Sequence, residues 1–170
     1  MTLGTHAIVG GSLAVLASAD PVATFCLGFL SHFVLDSIPH YDYPLLSLYQ
    51  NVDDKLDVGM NFGRLFFLDI LRIGADFGIG LLVLFMFYGD RPAFPYVILA
   101  GAFGAVLPDG LQFAYFKLKK APLRAPLRLL QRFHLFIHAE SNLNNRPVFG
   151  IFCQVLVVAA FLSISFLVIQ

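Results

Sequence analysis

The chain has 170 residues, 58% of them hydrophobic and only 13% charged. Soluble domains average about 45–50% apolar and about 25% charged, so this is the composition of an integral membrane protein. A formal net charge of zero excludes the basic footprint of a nucleic-acid binder.

The first apolar stretch, Thr5 to Ser18, reads as a helix capped by Thr5 or Thr2. It has no basic n-region, so no cleavable signal peptide is expected. Ala19-Asp20-Pro21 reads as a turn, with Asp20 as N-cap and Pro21 at the first helical position. A second helix runs to about Ser37 and stops before Pro39. Both are short of the roughly 20 residues a full crossing needs, so residues 5–38 form a hairpin that crosses only part of the bilayer. Residues 39–64 carry Tyr41, Asp42, Tyr43, Asp53, Asp54, Lys55 and Asp57, as expected for an interfacial loop with room for a short helix and tyrosines at headgroup level.

Residues 65–117 read as a second helical hairpin. Leu65 to Tyr88 is long enough to span, Gly89-Asp90-Arg91-Pro92 turns the chain, and Ala93 to Phe116 spans again with an interruption at Pro108-Asp109-Gly110. Residues 118–142 form a basic amphipathic segment, and 147–169 a final span without charge. Cys26 and Cys153 lie inside apolar runs and read as small buried hydrophobes. The expectation is an all-α, polytopic transmembrane bundle of about five apolar helices with one interfacial amphipathic helix, in a single membrane domain. Lys117, Lys119, Lys120, Arg124, Arg128 and Arg132 cluster after the fourth helix, whereas the opposite turn has only Arg91. The positive-inside rule therefore puts that cluster and the N-terminus in the cytoplasm and the C-terminus outside.

Ionisable groups at membrane depth are costly, and so are functional candidates. At about 1.5 Å per residue, His6 and His32 lie nearly equidistant from the Asp20 turn, hence at one depth in an antiparallel hairpin. Asp36 is one turn beyond His32 on the same face. Two imidazoles and a carboxylate are a reasonable zinc set with a fourth position open to water; the simpler alternative is a hydrogen bond across the hairpin. His134 and His138 share a helix face and could complete this metal site or form a second one with Asp109, or could instead be interfacial histidines. Asp69, Arg72 and Asp76 share a face opposite Asp109, either as a packing ion-pair ladder or as carboxylates that orient imidazoles. His40 and Asp42 are candidate bases. Gly28 precedes Asp36 by the interval at which Gly101 precedes Asp109, a faint echo between the two hairpins.

Thr5-His6-Ala7-Ile8-Val9-Gly10 resembles the N-terminal Thr-His-x3-Gly of a family of membrane-bound, metal-dependent hydrolases, small bacterial and archaeal inner-membrane proteins also described as LexA-binding. Gly104 to Asp109 is similar to that family's Leu-Pro-Asp segment, and His134-x3-His138 to its late His-x3-His. His32-x3-Asp36 also resembles a ligand pattern of zinc-dependent phospholipase C. Leu111 stands where the family carries a second aspartate, and residues 134–140 depart from its His-Arg-Gly-x-Thr-His-Ser. The resemblance implies a zinc-type hydrolase of a bacterial or archaeal cytoplasmic membrane, acting on a lipid or related phosphoester.

The leading expectation is metal-dependent hydrolysis at the cytoplasmic membrane face. A divalent metal, zinc above others, would be held by His6, His32 and Asp36, with His134, His138 and Asp109 as further ligands and His40 or Asp42 either as base or orienting the ligands from behind. Membrane lipids would be partners and nucleic acid would not. The rivals are a proton or metal-ion transporter that uses the same groups as a relay, and a non-catalytic scaffold whose polar cluster locks helix packing.

Overall fold

A computed structural model describes residues 1–17, 20–51, 54, 56–90, 96–117, 124–138 and 143–169. Ser18, Ala19, Asp53, Lys55, Arg91, Pro92, Lys119, Lys120, Ala139 and Glu140, which entered the expectations above, lie outside the described residues. Within them the fold is helical, with α1 (Leu3–Ala17), α2 (Pro21–Asp36), α3 (Arg64–Tyr88), α4 (Tyr96–Lys117), α5 (Arg124–His138) and α6 (Pro147–Ile169). The polar loop after α2 carries two short strands, β1 (Leu48–Gln50) and β2 (Val58–Met60), and no helix among its described residues. They pair antiparallel, Leu48 opposite Met60 and Gln50 opposite Val58. Asp54 closes their turn by accepting from the Leu56 amide at 2.8 Å.

Local chemistry sets the helix ends. Asp20 caps α2, its carboxylate accepting from the Val22 and Ala23 amides at 3.2 Å each, and Pro21 occupies the first helical position, where its missing N–H costs nothing. In α4 the helix runs through Pro108 without the expected interruption. The ring removes the bond that would reach the Gly104 carbonyl, and the neighbouring helices hold this stretch in place.

α3, α4 and α6 are long and apolar enough to cross a membrane, whereas α1 and α2, at 15 and 16 residues, are shorter apolar helices. α1 is the hub and packs against α2, α3, α4 and α6. α3 leans mainly on α1 and meets α4 through long side chains such as Phe77 on Phe103. α2 and α4 run parallel in close register: Gly28 abuts Gly101, and His32 reaches Ala105. A Cβ at Gly28 would strike the Gly101 carbonyl, and one at Gly101 the Gly10 carbonyl, so these glycines permit backbone-to-backbone packing of α1, α2 and α4. The equal Gly-to-Asp spacing therefore has a physical meaning: it brings Asp36 and Asp109 to one level.

The outer flanks of α3 and α6 are apolar and exposed, for instance at Phe67, Leu71, Met86, Val148 and Leu167. Cys26 is also exposed and Cys153 half-buried, so the first is not the buried hydrophobe expected. α5 turns Gln131 and His134 inward and exposes Leu129, Phe133 and Phe136 beside Arg128 and Arg132.

Candidate metal centre

The structure brings all five histidines and three aspartates together around Asp36, the last residue of α2. Asp36 Oδ1 lies 3.1 Å from His6 Nε2 and 4.0 Å from His40 Nε2. Its Oδ2 lies 3.1 Å from His32 Nε2, 3.0 Å from His134 Nε2 and 3.4 Å from His138 Nε2. Asp109 Oδ1 approaches His32 and His134 at 3.7 and 4.0 Å. Asp42 Oδ2 approaches His40 and His138 at 3.2 and 3.7 Å. Asp36, His6, His32 and His40 are almost wholly buried. The depth argument from the Asp20 turn holds, since the His6 and His32 rings stack with centroids 4.2 Å apart.

Three sets of groups have one donor atom apiece within 4.8 Å of one another: His6, His32 and Asp36; His32, Asp109 and His134; Asp36, His40 and His138. They overlap in His32 and Asp36, so they form one continuous pocket of donors.

The proton positions are constrained. His32 Nδ1 lies 2.8 Å from the Ala105 carbonyl and His40 Nδ1 2.6 Å from the Ile38 carbonyl. A carbonyl only accepts, so both Nδ1 atoms carry the proton, and in a neutral ring each Nε2 is a lone pair. His32 Nε2 faces the Asp36 and Asp109 carboxylates at 3.1 and 3.7 Å, as a lone pair in the neutral ring and as a donor to Asp36 in the protonated one. Two acceptors face to face need a cation or a proton between them. A carbonyl on the far nitrogen is also the usual device for orienting a ligating imidazole. His6 and His134 have no Nδ1 partner among the described residues.

Met1 supplies a cation that the sequence reading did not anticipate. Its amino group lies 2.8 Å from Asp36 Oδ1 and 2.8 Å from Asp42 Oδ1. Burial alone would lower the affinity of this amine for its proton, but Asp36, Asp42 and Asp109 outweigh burial and raise it. Burial pushes the Asp42 carboxyl up, but the adjoining His40 ring and the Met1 charge hold it well below the usual carboxylate range. Burial and the nearby aspartates push the Tyr43 hydroxyl up, so it stays protonated and can donate to Asp76 Oδ2 at 3.5 Å.

The Asp69–Arg72–Asp76 ladder does not form as expected. Asp69 is buried and accepts from Leu46 N, Ser47 N and Ser47 Oγ, pinning the loop to α3. Asp76 accepts from Gly4 N at 3.0 Å, tying α3 to the start of α1. Arg72 is exposed. Gln154 of α6 accepts from Thr2 N and Thr5 Oγ and donates to the Tyr41 carbonyl, which sets the loop bearing His40 and Asp42. A glutamine inside an otherwise apolar span was the legible signal. Asn144 accepts from the Asp42 amide at 3.0 Å.

A cavity of about 620 Å³ opens beside the cluster. Asp42, Asp109, His134 and His138 line one end. His40, though buried against Asp42, is not part of its wall.

No family model matches the chain, and none of the curated proteins or solved structures compared with it is similar.

Proposed function

We propose that this protein is a metal-dependent hydrolase of the membrane interface, with a divalent ion of the zinc class held in the His/Asp pocket. One observation carries the reading: His32 Nε2, its ring held by the Ala105 carbonyl, faces the buried Asp36 carboxylate, onto which three further imidazoles converge within 3.4 Å. A proton on His32 could also meet Asp36, beside a neutral His6 that donates from Nε2. A divalent ion answers several lone pairs and the carboxylates at once. The resemblance of Thr5-His6, Leu107-Pro108-Asp109 and His134-x3-His138 to the membrane-bound metal-dependent hydrolases supports the same conclusion.

In this reading His6, His32, Asp36, Asp109, His134 and His138 hold the ion, and His40, orienting Asp42, joins Asp36 and His138. A bound zinc-type ion supplies Lewis acidity and brings the pKa of water to about 7. Asp42, on the cavity wall, would be the carboxylate that takes a proton from the attacking water. The water oxygen bonds to the phosphoryl or acyl centre, the ester bond breaks, and the leaving oxygen receives the proton. His40 donates from Nδ1 to Ile38 and lies against Asp42, which suits the orienting one of the two roles expected for it.

α3, α4 and α6 cross the bilayer in this proposal. The shorter α1–α2 hairpin enters it from the cytoplasmic side, and α5 lies at the interface with Arg128 and Arg132 toward anionic headgroups. The transporter reading has less support, because the buried polar groups described beyond the cluster along α3 and α6 are hydroxyls already paired with one another.

Elemental analysis of detergent-purified wild type beside His32→Ala tests the proposal. About one or two zinc-class ions per chain, lost in the variant, are expected. No metal in either sample after incubation with zinc would refute it.

A further inference from the structure

We propose that the cavity beside the cluster is a tail-binding site for a single amphiphile whose phosphate headgroup is presented to Asp42, Asp109, His134 and His138. The headgroup half of this inference rests on the metal-dependent reading above; the tail half rests on the cavity alone.

Polarity in the cavity is segregated. The carboxylates and imidazoles on its wall belong to the cluster end, while Ile70 and Ile73 of α3, Val106 and Phe113 of α4 and Leu135 of α5 give it an apolar body. Tyr43 and Gln112 also reach the wall. A volume of about 620 Å³ falls within the roughly 300–1,000 Å³ of small-molecule sites and exceeds what a small inorganic anion needs. A ligand that satisfies both ends has a charged head and a hydrocarbon body.

The packing explains why the space exists and where it opens. α3 leans on α1 and meets α4 by aromatic contacts, Phe66 with Phe113 and Phe77 with Phe103, with centroids 5.9 and 5.5 Å apart. The interval between α3 and α4 is therefore bridged by side chains and not closed by backbone packing. Ile70 lines the cavity and is also 41% exposed. It lies among the exposed apolar residues Phe67 and Leu71, so the mouth is on the apolar flank of α3. A tail can enter there from the hydrocarbon phase while the head stays beside the cluster.

The test uses full-length protein in amphipol, zinc-loaded or EDTA-treated, titrated calorimetrically with inorganic phosphate and with butyl, octyl and dodecyl phosphate. Affinity is expected to rise about fourfold per added methylene until the cavity is full, with inorganic phosphate weakest. Ile73→Phe and Val106→Phe, on opposite walls, are expected to flatten the rise and weaken dodecyl phosphate at least about tenfold, with zinc content and thermal transition unchanged. Equal affinity for inorganic and dodecyl phosphate would overturn the tail site and leave a free-phosphate pocket. An undiminished rise in both folded variants would also overturn it, since the tails would then be partitioning elsewhere. The two readings fail separately. A rise that the variants abolish, in protein that never takes up zinc, removes the metal and keeps the tail site. Zinc uptake without a rise does the reverse.

Discussion

Two buried polar regions at opposite ends of the α1–α3 contact make a useful contrast. Where the end of α3 meets α1 and α6, the Tyr88 hydroxyl donates to Ser12 Oγ at 3.2 Å and can accept from Ser165 Oγ. All three hydroxyls have partners, and the network closes within the chain. At the other end, three carboxylates and five imidazoles share one pocket, and His32 Nε2, its ring held by a carbonyl, faces a carboxylate. A satisfied network needs nothing further and holds helices together. One that gathers carboxylates and imidazole nitrogens can take up a cation or a proton. Both regions combine buried polar side chains, so burial alone does not separate a structural network from a site. What the groups can still take up does.

The sharpest way to break this contrast is Gly101→Val, because Gly101 lies where α1, α2 and α4 touch and so supports both regions. Its side chain would meet the Gly10 carbonyl and Thr24. Backbone cannot yield as a side-chain end does, so a loss of about 3 kcal/mol or more is expected, seen as a lowered thermal transition together with lost metal. A normal transition would mean the helices part more easily than their packing suggests. Asp36→Asn should be narrower: metal affinity is expected to fall by more than about 100-fold, beyond the effect of removing an outer hydrogen-bond partner, as read by equilibrium dialysis against zinc. Retained affinity would show that Asp36 is not the shared ligand. Tyr88→Phe should be smallest, costing about 1 kcal/mol for the lost hydrogen bonds without changing metal content. Any loss of metal there would show the two ends to be coupled.

The sequence made the convergence of the cluster legible to an unusual extent, because the relevant groups are rare in an apolar chain and helical rise converts position into depth. His6 and His32 fell to the same level because both are counted from the Asp20–Pro21 turn, whose cap is strong and local. Asp36, His134 and His138 followed from spacing on one helix face. The central position of Asp36 was not legible, because it depends on the parallel register of α2 with α4, which glycine contacts set. The Ala105 and Ile38 carbonyls that fix the imidazole protons leave no mark in a sequence. Asp69 and Asp76 read as partners of Arg72 by periodicity, but backbone amides of the loop and of α1 claim them instead. The β1–β2 hairpin was missed because three-residue strands are too short for alternation to show. The cavity arises from where α3 leans, a tertiary choice that no local pattern encodes.

The α1–α2 hairpin also presents two helix poles at the mouth of the cluster. Helix starts carry partial positive charge and helix ends partial negative charge. The start of α1 is matched from within the chain, by Asp76 reaching over from α3 to the Gly4 amide. The end of α2 falls on Asp36, with no lysine or arginine in its last turn, so a negative pole and a carboxylate coincide there, met by the Met1 amine and the imidazoles around it. A chain whose formal charges sum to zero thus has a strongly one-signed spot where its two shortest apolar helices meet the loop, and the electrostatics of that spot favour a cation.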